Sequence, residues 1–204
     1  MPYEIESDLL QQAQAGDYDA FEQLQARLEA PIRRFIRRLI GVRDAEDDIV
    51  QDTFIALYYS LDRIEPVENL RPYLFRIARN CCYDELRDQG RFESVSLDGE
   101  FEENLNVTLS FNHPAEGSNQ PDEAVHWLLV SLEVKAAIDR LPEPQRQALI
   151  LYAEENLSYA EIAIATQTNI GTVKSRLHHA KKALPYLLKP ETYHLLETEF
   201  QQGD

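Results

Sequence analysis

Apolar residues spaced three and four apart set the tightest limit on how this chain can fold. Phe21, Leu24, Leu28, Ile32, Phe35 and Leu39 recur at that step. The step puts them on one face of an α-helix and on no single face of a strand. Val/Ile/Thr alternation is almost absent outside residues 92–125, and only seven glycines occur in 204 residues. The expected fold class is all-α. In the first long helix Asp17 can cap the start and Gly41 can end it, while Pro31 should kink or break it. A second helix is expected from near Asp44, with Val50, Phe54, Leu57, Leu61 and Ile64 as its apolar stripe. A third should run from about Leu70 to Gln89 with Leu74, Ile77, Ala78 and Cys81 inward, and a short helix over Asp8–Ala15 should precede them all.

Charge divides the chain into blocks. The net charge is -16, which opposes free-standing, nonspecific binding to DNA phosphate. Residues 92–125 hold eight acids and no Lys or Arg, whereas residues 126–190 hold eight Lys/Arg against six acids. That pattern, with Pro114, Pro121, Gly99 and Gly117 in the acidic stretch, predicts two helical domains joined by an acidic flexible linker. The expected boundaries are 1–91, 92–125 and 126–187, with a tail over 188–204. Within the linker, Val107–Phe111 has the pattern of a brief extended piece. The linker's charge also allows it to occupy a basic groove built for nucleic acid.

No apolar run approaches the roughly 18–20 residues of a membrane span, so no membrane insertion is expected. Met1-Pro2-Tyr3-Glu4 does not begin a secretory signal. The two cysteines, Cys81 and Cys82, are neighbours that a disulfide would bridge only under strain. Together these predict a reduced, cytoplasmic protein.

Two outward faces in the first domain carry functional signals. Asp48, Gln51, Asp52, Ile55 and Tyr59 share one side of the second helix at about 100° per residue. Charge alone fits a solvated acidic face; an outward Ile and Tyr among acids fit a protein-docking face. On the third helix Arg76, Asn80, Tyr83 and Arg87 fall together. Arg holds phosphates, Asn reads base edges and Tyr stacks on an unpaired base. An ordinary surface with Arg–Asp pairs to Asp84 and Asp88 fits the same periodicity.

In the second domain a helix through Val130, Val134, Ala137, Ile138 and Leu141 should stop at Pro142, and Pro144 should open the next. Ser158-Tyr159-Ala160-Glu161 is a capping-box pattern that starts a short helix. Gln167-Thr168-Asn169 makes a break, and a further helix follows with Val173, Leu177, Ala180 and Leu184 as its stripe. The other sides of that helix carry Thr172, Lys174, Ser175, Arg176, His178, His179, Lys181 and Lys182. A helix, a short turn and a helix with a basic exterior is the helix-turn-helix arrangement, whose second helix enters a major groove. A plain helical hairpin with a solvated basic face is the alternative. The tail can form one more amphipathic helix through Tyr193, Leu196 and Phe200.

These residues resemble a family. Asp44-Ala45-Glu46-Asp47-Asp48-Ile49-Val50-Gln51-Asp52-Thr53-Phe54 resembles the core-binding region of bacterial sigma factors. Arg71-Pro72-Tyr73-Leu74-Phe75-Arg76-Ile77-Ala78-Arg79-Asn80, followed by Asp84-Glu85-Leu86-Arg87, looks like their minus-ten region. Leu157–Ala163 and Gly171–Leu177 look like their minus-thirty-five reader. Only the linker and tail lie outside the resemblance, and the two-domain length fits the compact extracytoplasmic-function (ECF) group. That group often has Trp where Tyr73 stands, and Gly and an apolar residue where Gln167 and Thr168 stand.

The resemblance implies a sigma factor with two partners, core RNA polymerase and promoter DNA, and leaves open an anti-sigma factor as a third. By the same resemblance Asp48, Gln51, Asp52, Ile55 and Tyr59 dock on the polymerase clamp. Arg76, Asn80, Tyr83 and Arg87, with loop 65–70, capture an unpaired minus-ten base. Thr172, Lys174, Ser175, Arg176, His179 and Lys182 meet the minus-thirty-five element, and the linker runs through the polymerase's nucleic-acid channel.

Two rival readings stand beside it. A stand-alone helix-turn-helix regulator accounts for residues 126–190 but leaves both faces of the first domain without a role. An enzyme is not expected. His178 and His179 are adjacent rather than four apart, the cysteines lack a second pair, and the acids at Asp44–Asp48 suit a helix start. No phosphate loop or nucleophile motif occurs, so neither cofactor nor metal is expected.

Overall fold

The computed structural model describes residues 2–41, 44–88 and 121–200. Among the described residues every regular element is helical. Residues 92–120 of the expected linker (92–125), with its extended piece at Val107–Phe111, lie outside them. The helices group into two compact units: those over residues 2–88 with the one at 159–166, and those over residues 121–153 and 170–200.

In the first unit α1 (Pro2–Gln14), α2 (Tyr18–Ile40), α3 (Glu46–Tyr58) and α4 (Leu70–Asp88) surround one apolar core. α2 is its hub, packing against α1, α3 and α4. All six residues of its expected stripe are buried, and Phe35 meets Phe75 of α4 edge-on at 5.1 Å. Truncating a side chain such as Phe35 to Ala would cost about 3–5 kcal/mol. Asp17 caps the start by accepting from the Ala20 N–H at 3.1 Å. Gly41 ends the helix at φ 77°, a left-handed conformation that suits a residue without Cβ.

Four expectations need correction here. The expected second helix, α3, ends at Tyr58, so Leu61 and Ile64 of its expected stripe are buried beyond it, Leu61 in a short 3-10 helix over Leu61–Arg63. Pro31 does not break α2, which continues from Tyr18 to Ile40. Proline removes one backbone bond, and Leu28, Ile32, Phe35 and Ile36 on either side are all buried in the same core. The first helix is longer than Asp8–Ala15, beginning at Pro2. The buried arc of α4 is rotated by roughly a quarter turn from the expected one. Phe75, Cys82 and Tyr83 join Leu74 and Ala78 inside, while Ile77 and Cys81 are half-buried. Cys81 and Cys82 are free thiols, and burial pushes both pKa values up, which favours the protonated thiol.

α7 (Tyr159–Thr166) lies against α4, with Ile162 and Ala165 buried as expected. Its capping box is formed: the Ser158 hydroxyl accepts from Glu161 N–H, and the Glu161 carboxylate accepts from Ser158 N–H at 2.8 Å.

In the second unit α5 (Pro121–Asp139) takes up the last five residues of the expected linker. Val130, Val134, Ala137, Ile138 and Leu141 are buried, as the spacing requires. α6 (Glu143–Ala153) has Pro144 in its first turn, where no donor is needed. α8 (Ile170–Leu187) and α9 (Pro190–Phe200) follow. Glu133 of α5 ties down the tail. Its carboxylate accepts from the backbone N–H of Lys189 at 2.7 Å, where the positive end of α9 favours an anion. That bond, more than the nearby Lys189 ammonium, holds the Glu133 carboxyl below its ordinary pKa.

Candidate protein-docking and nucleic-acid interface

α3 turns its buried side, Ile49, Val50, Thr53, Phe54 and Leu57, toward the core. Thr53 satisfies its hydroxyl by donating to the Ile49 carbonyl at 2.7 Å. The opposite side therefore faces out, and Asp48, Gln51, Asp52, Ile55 and Tyr59 are all exposed. Ile55 is 45 % exposed and Tyr59, just past the helix end, is 81 % exposed. An open groove beside this face adds residues that sequence reasoning missed. Phe21 packs edge-on against Tyr58 at 5.0 Å, and Tyr18 stands 6.4 Å from the same ring. Glu29, Asp47 and Gln51 also line the groove. The combination is an apolar, aromatic surface among acids, suited to a partner with apolar knobs and basic flanks.

The start of α3 is not capped as its acids suggested. Ala45 occupies the cap position without a side-chain bond. Glu46, 6 % exposed, instead receives Arg37 at 2.6 Å and Arg33 at 3.0 Å, both from α2. Arg33 also pairs with Asp47 and, at 2.9 Å, with Glu29. Arg37 and then Arg33 hold the Glu46 carboxyl below its ordinary pKa against the opposing effect of burial. The acids of Asp44–Asp48 thus split: Glu46 and Asp47 clasp α3 to α2, and Asp48 faces out. The Glu29, Arg33, Arg37 spacing of four on α2 was the available signal for this clasp.

On α4 the expected nucleic-acid face is only partly assembled. Asn80 and Arg87 are exposed, and Arg87 pairs with Asp84 at 2.6 Å. Arg76 is half-buried, its guanidinium 4.3 Å from the centre of the Tyr73 ring. Tyr83 does not join them. It is 8 % exposed, and the Arg79 guanidinium lies 4.3 Å over its ring. The quarter-turn rotation of the buried arc carries Tyr83 to the core edge, and a cation occupies the ring face that a base would need. Tyr73, half-buried under Arg76, is the aromatic residue that the sequence reading passed over on this side. Before α4, two short 3-10 helices at Leu61–Arg63 and Val67–Asn69 shape the chain. Ile64 and Leu70 are buried, while Glu65, Pro66 and Glu68 between them are exposed.

α7, its turn and α8 carry the helix-turn-helix signature. Gln167 ends α7 in the left-handed region at φ 54°, ψ 45°. The turn is reinforced by hydroxyls. Thr166 donates to the Ile162 carbonyl at 2.7 Å, so the 2.9 Å contact with Thr168 has Thr168 as donor. Val173, Leu177, Ala180 and Leu184 are buried, which fixes the rotation of α8. Lys174, His179 and Lys182 are exposed, and Thr172 and Arg176 are half-buried at the edges of the stripe. Ser175 departs from expectation. It points opposite the stripe yet is 8 % exposed, a short side chain flanked one turn on by the longer His178 and His179. Lys181 lies 5.2 Å from the Tyr152 ring centre, and burial lowers its pKa.

α5 exposes a stripe absent from the sequence reading. Val125, Leu128, Leu129 and Leu132, at helical spacing, are each more than half exposed. Among the described residues no group of three His, Cys, Asp or Glu is placed to hold a metal ion, and no helix is long and apolar enough to cross a membrane.

Comparison with known proteins matches two family models. "Sigma-70 region 2" covers residues 21–92 and "Sigma-70, region 4" covers residues 131–184. The ECF RNA polymerase sigma factor EcfG of Rhodopseudomonas palustris is 34 % identical over 157 residues, 77 % of this chain and 78 % of that protein. The RNA polymerase sigma-H factor of Pseudomonas aeruginosa is 30 % identical over 191 residues, 92 % of this chain and 95 % of that one. Among solved structures, the sigma factor RpoE in complex with the anti-sigma factor NepR from Bartonella quintana has a TM-score of 0.58 at 28 % identity, covering 82 % of this chain and 95 % of that chain. CnrH in complex with the cytosolic domain of CnrY shares the fold, with a TM-score of 0.61 at 24 % identity, covering 90 % and 96 % of the two chains.

Proposed function

The chain belongs to the extracytoplasmic-function group of bacterial RNA polymerase sigma factors, and we propose that it works through three surfaces. The outward face of α3 (Asp48, Gln51, Asp52, Ile55 and Tyr59) docks on core RNA polymerase. α4 and loop 65–70 engage the minus-ten element as the duplex opens. The N-terminal half of α8 reads the minus-thirty-five element. In function we assign residues 1–91 to the first domain and the helices from α5 to α8 to the second, although α7 packs with the first compact unit. The observation that carries this reading is the exposed Ile55 and Tyr59 pair, set among acids on a helix whose other side is fully committed to the core.

A factor that acts on polymerase tolerates a net charge of -16, because the polymerase holds the DNA beside it. Opening a duplex at one base costs a few kcal/mol, which contacts to the flipped base and its phosphates offset. With Tyr83 under Arg79, the candidates for those contacts are Asn80, Arg87, Arg76 and the half-exposed Tyr73. At the upstream element we assign Thr172, Arg176 and His179 to base edges, and Lys174 and Lys182 to phosphates. The function asks no bond-making chemistry of the chain's side chains. The exposed stripe of α5 supports a second protein contact, and the NepR-bound relative supports an anti-sigma factor as a further partner.

Run-off transcription with core RNA polymerase over a genomic library tests the reading. Transcripts that begin at a shared pair of spaced elements, and only when this chain is added, are the expected result. A gel shift with the chain alone separates the rival: specific binding without polymerase would mark a stand-alone regulator and refute the proposal.

A further inference from the structure

The loop assigned above to base capture is tied at both ends to α1, a helix outside the matched region 21–92. On the upstream side, the Gln14 side-chain amide donates to the Leu61 carbonyl at 2.8 Å and to the Ile64 carbonyl at 3.2 Å. On the downstream side, Arg71, the second residue of α4, grips Glu6 with two parallel bonds. Nη2 donates to Oε1 at 2.7 Å and Nε to Oε2 at 2.8 Å. Glu6 is 5 % exposed. Glu6 and Gln14 are eight residues apart, so they share one face of α1 about 12 Å apart along its axis. Within the loop Asn69 closes the turn twice, its Nδ2 donating to the Glu65 carbonyl at 3.3 Å and its backbone N–H to the Pro66 carbonyl at 2.9 Å, and the middle of the loop is exposed.

We infer that Glu6 and Gln14 are positioning residues for promoter opening: α1 acts as a brace that holds both ends of loop 65–70 in the geometry that receives the flipped base. The inference rests on the base-capture reading of that loop. A bidentate Arg–carboxylate pair fixes direction as well as distance, which a purely apolar contact would not. The side-chain amide of Gln14 holds two carbonyls at the point where the chain leaves the core for the loop. Neither residue touches DNA. A brace lowers the cost of opening because the loop's ordering entropy has already been lost before the base arrives.

The test uses holoenzyme assembled from core polymerase and full-length chain. One template is a duplex promoter recovered by run-off selection. The other is the same promoter with the minus-ten segment pre-opened by mismatches. Gln14→Ala and Glu6→Gln should slow opening of the duplex about three- to tenfold, the range set by the net worth of one hydrogen bond. Affinity for core polymerase should stay within about twofold, and the defect should shrink on the pre-opened template, where little opening energy is needed. Asn69→Ala, inside the loop, reports on base capture itself. Slow opening with Asn69→Ala but wild-type opening with both α1 variants would overturn the brace alone. Wild-type opening with all three would overturn base capture and the brace together. If Glu6→Gln fails to fold, Gln14→Ala, at a half-exposed position, carries the test. Parallel losses of core affinity, melting temperature and opening in Gln14→Ala would reduce α1 to a stability element and refute the proposal.

Discussion

Tyr59→Ala isolates the docking surface from the fold. The ring is 81 % exposed and its recorded ring contact is an edge-on approach to Tyr58 at 5.8 Å. Removing that contact from the free protein costs at most about 0.5 kcal/mol, the low end for an aromatic pair. Docking changes the balance. A tyrosine side chain carries about 150–200 Å² of buriable surface, so four-fifths exposure leaves about 140 Å² available. If half becomes buried against core polymerase, at about 25 cal/mol per Å² the ring contributes about 1.8 kcal/mol. That predicts a roughly 20-fold weaker Kd for Tyr59→Ala. Ile55→Ala should fall in the same range, and the double variant should lose less than the sum, because neighbouring residues couple. Fluorescence anisotropy of labelled chain titrated with core polymerase measures the Kd. Far-UV circular dichroism and thermal unfolding check that the helices are intact. A Kd within about threefold of wild type, with the fold unchanged, would refute the assignment of this face to polymerase.

Gln167→Gly should stabilise the protein by about 1 kcal/mol, since Gln167 sits at φ 54° where a Cβ is strained; a lowered melting temperature would contradict this. Acid should loosen the α2–α3 clasp. The Glu46 carboxyl is held below its ordinary 4.5 by Arg37 and Arg33, so its contribution is complete above that value and is lost as pH falls through the lowered one. Urea midpoints from pH 3 to 7 should show a shallower acid limb in Glu46→Gln, and an unchanged limb would count against the clasp. Arg176→Ala should relax base preference at one or two upstream positions at a cost of about 1–3 kcal/mol, whereas Lys182→Ala should weaken all promoters alike and reduce the salt slope by about one unit. Selection from a library randomised in that element separates the two, and the reverse pattern would mean that α8 docks in a different rotation.

The periodicity of the chain by itself determined the apolar stripes of α2, α3 and α8, because a helix face is a local property, with Ser175 of α8 the buried residue it did not place. Phe21 through Leu39, and Val173 through Leu184, are buried where their spacing puts them. The same holds for the caps at Asp17 and Ser158 and for the outward set on α3, all of which depend on residues within one or two turns. Tertiary structure decided whatever depended on a second element. A helical wheel says which residues share a face but not where the neighbouring helices close over it, so the buried arc of α4 shifted and took Tyr83 inside. Glu46 read as a helix-start acid until α2 brought Arg33 and Arg37 to it across 13 and 9 residues. The pairing of Glu6 with Arg71 spans 65 residues and leaves no mark on either helix's pattern, since one ion pair is a contact between two points in the chain and not a repeat along it.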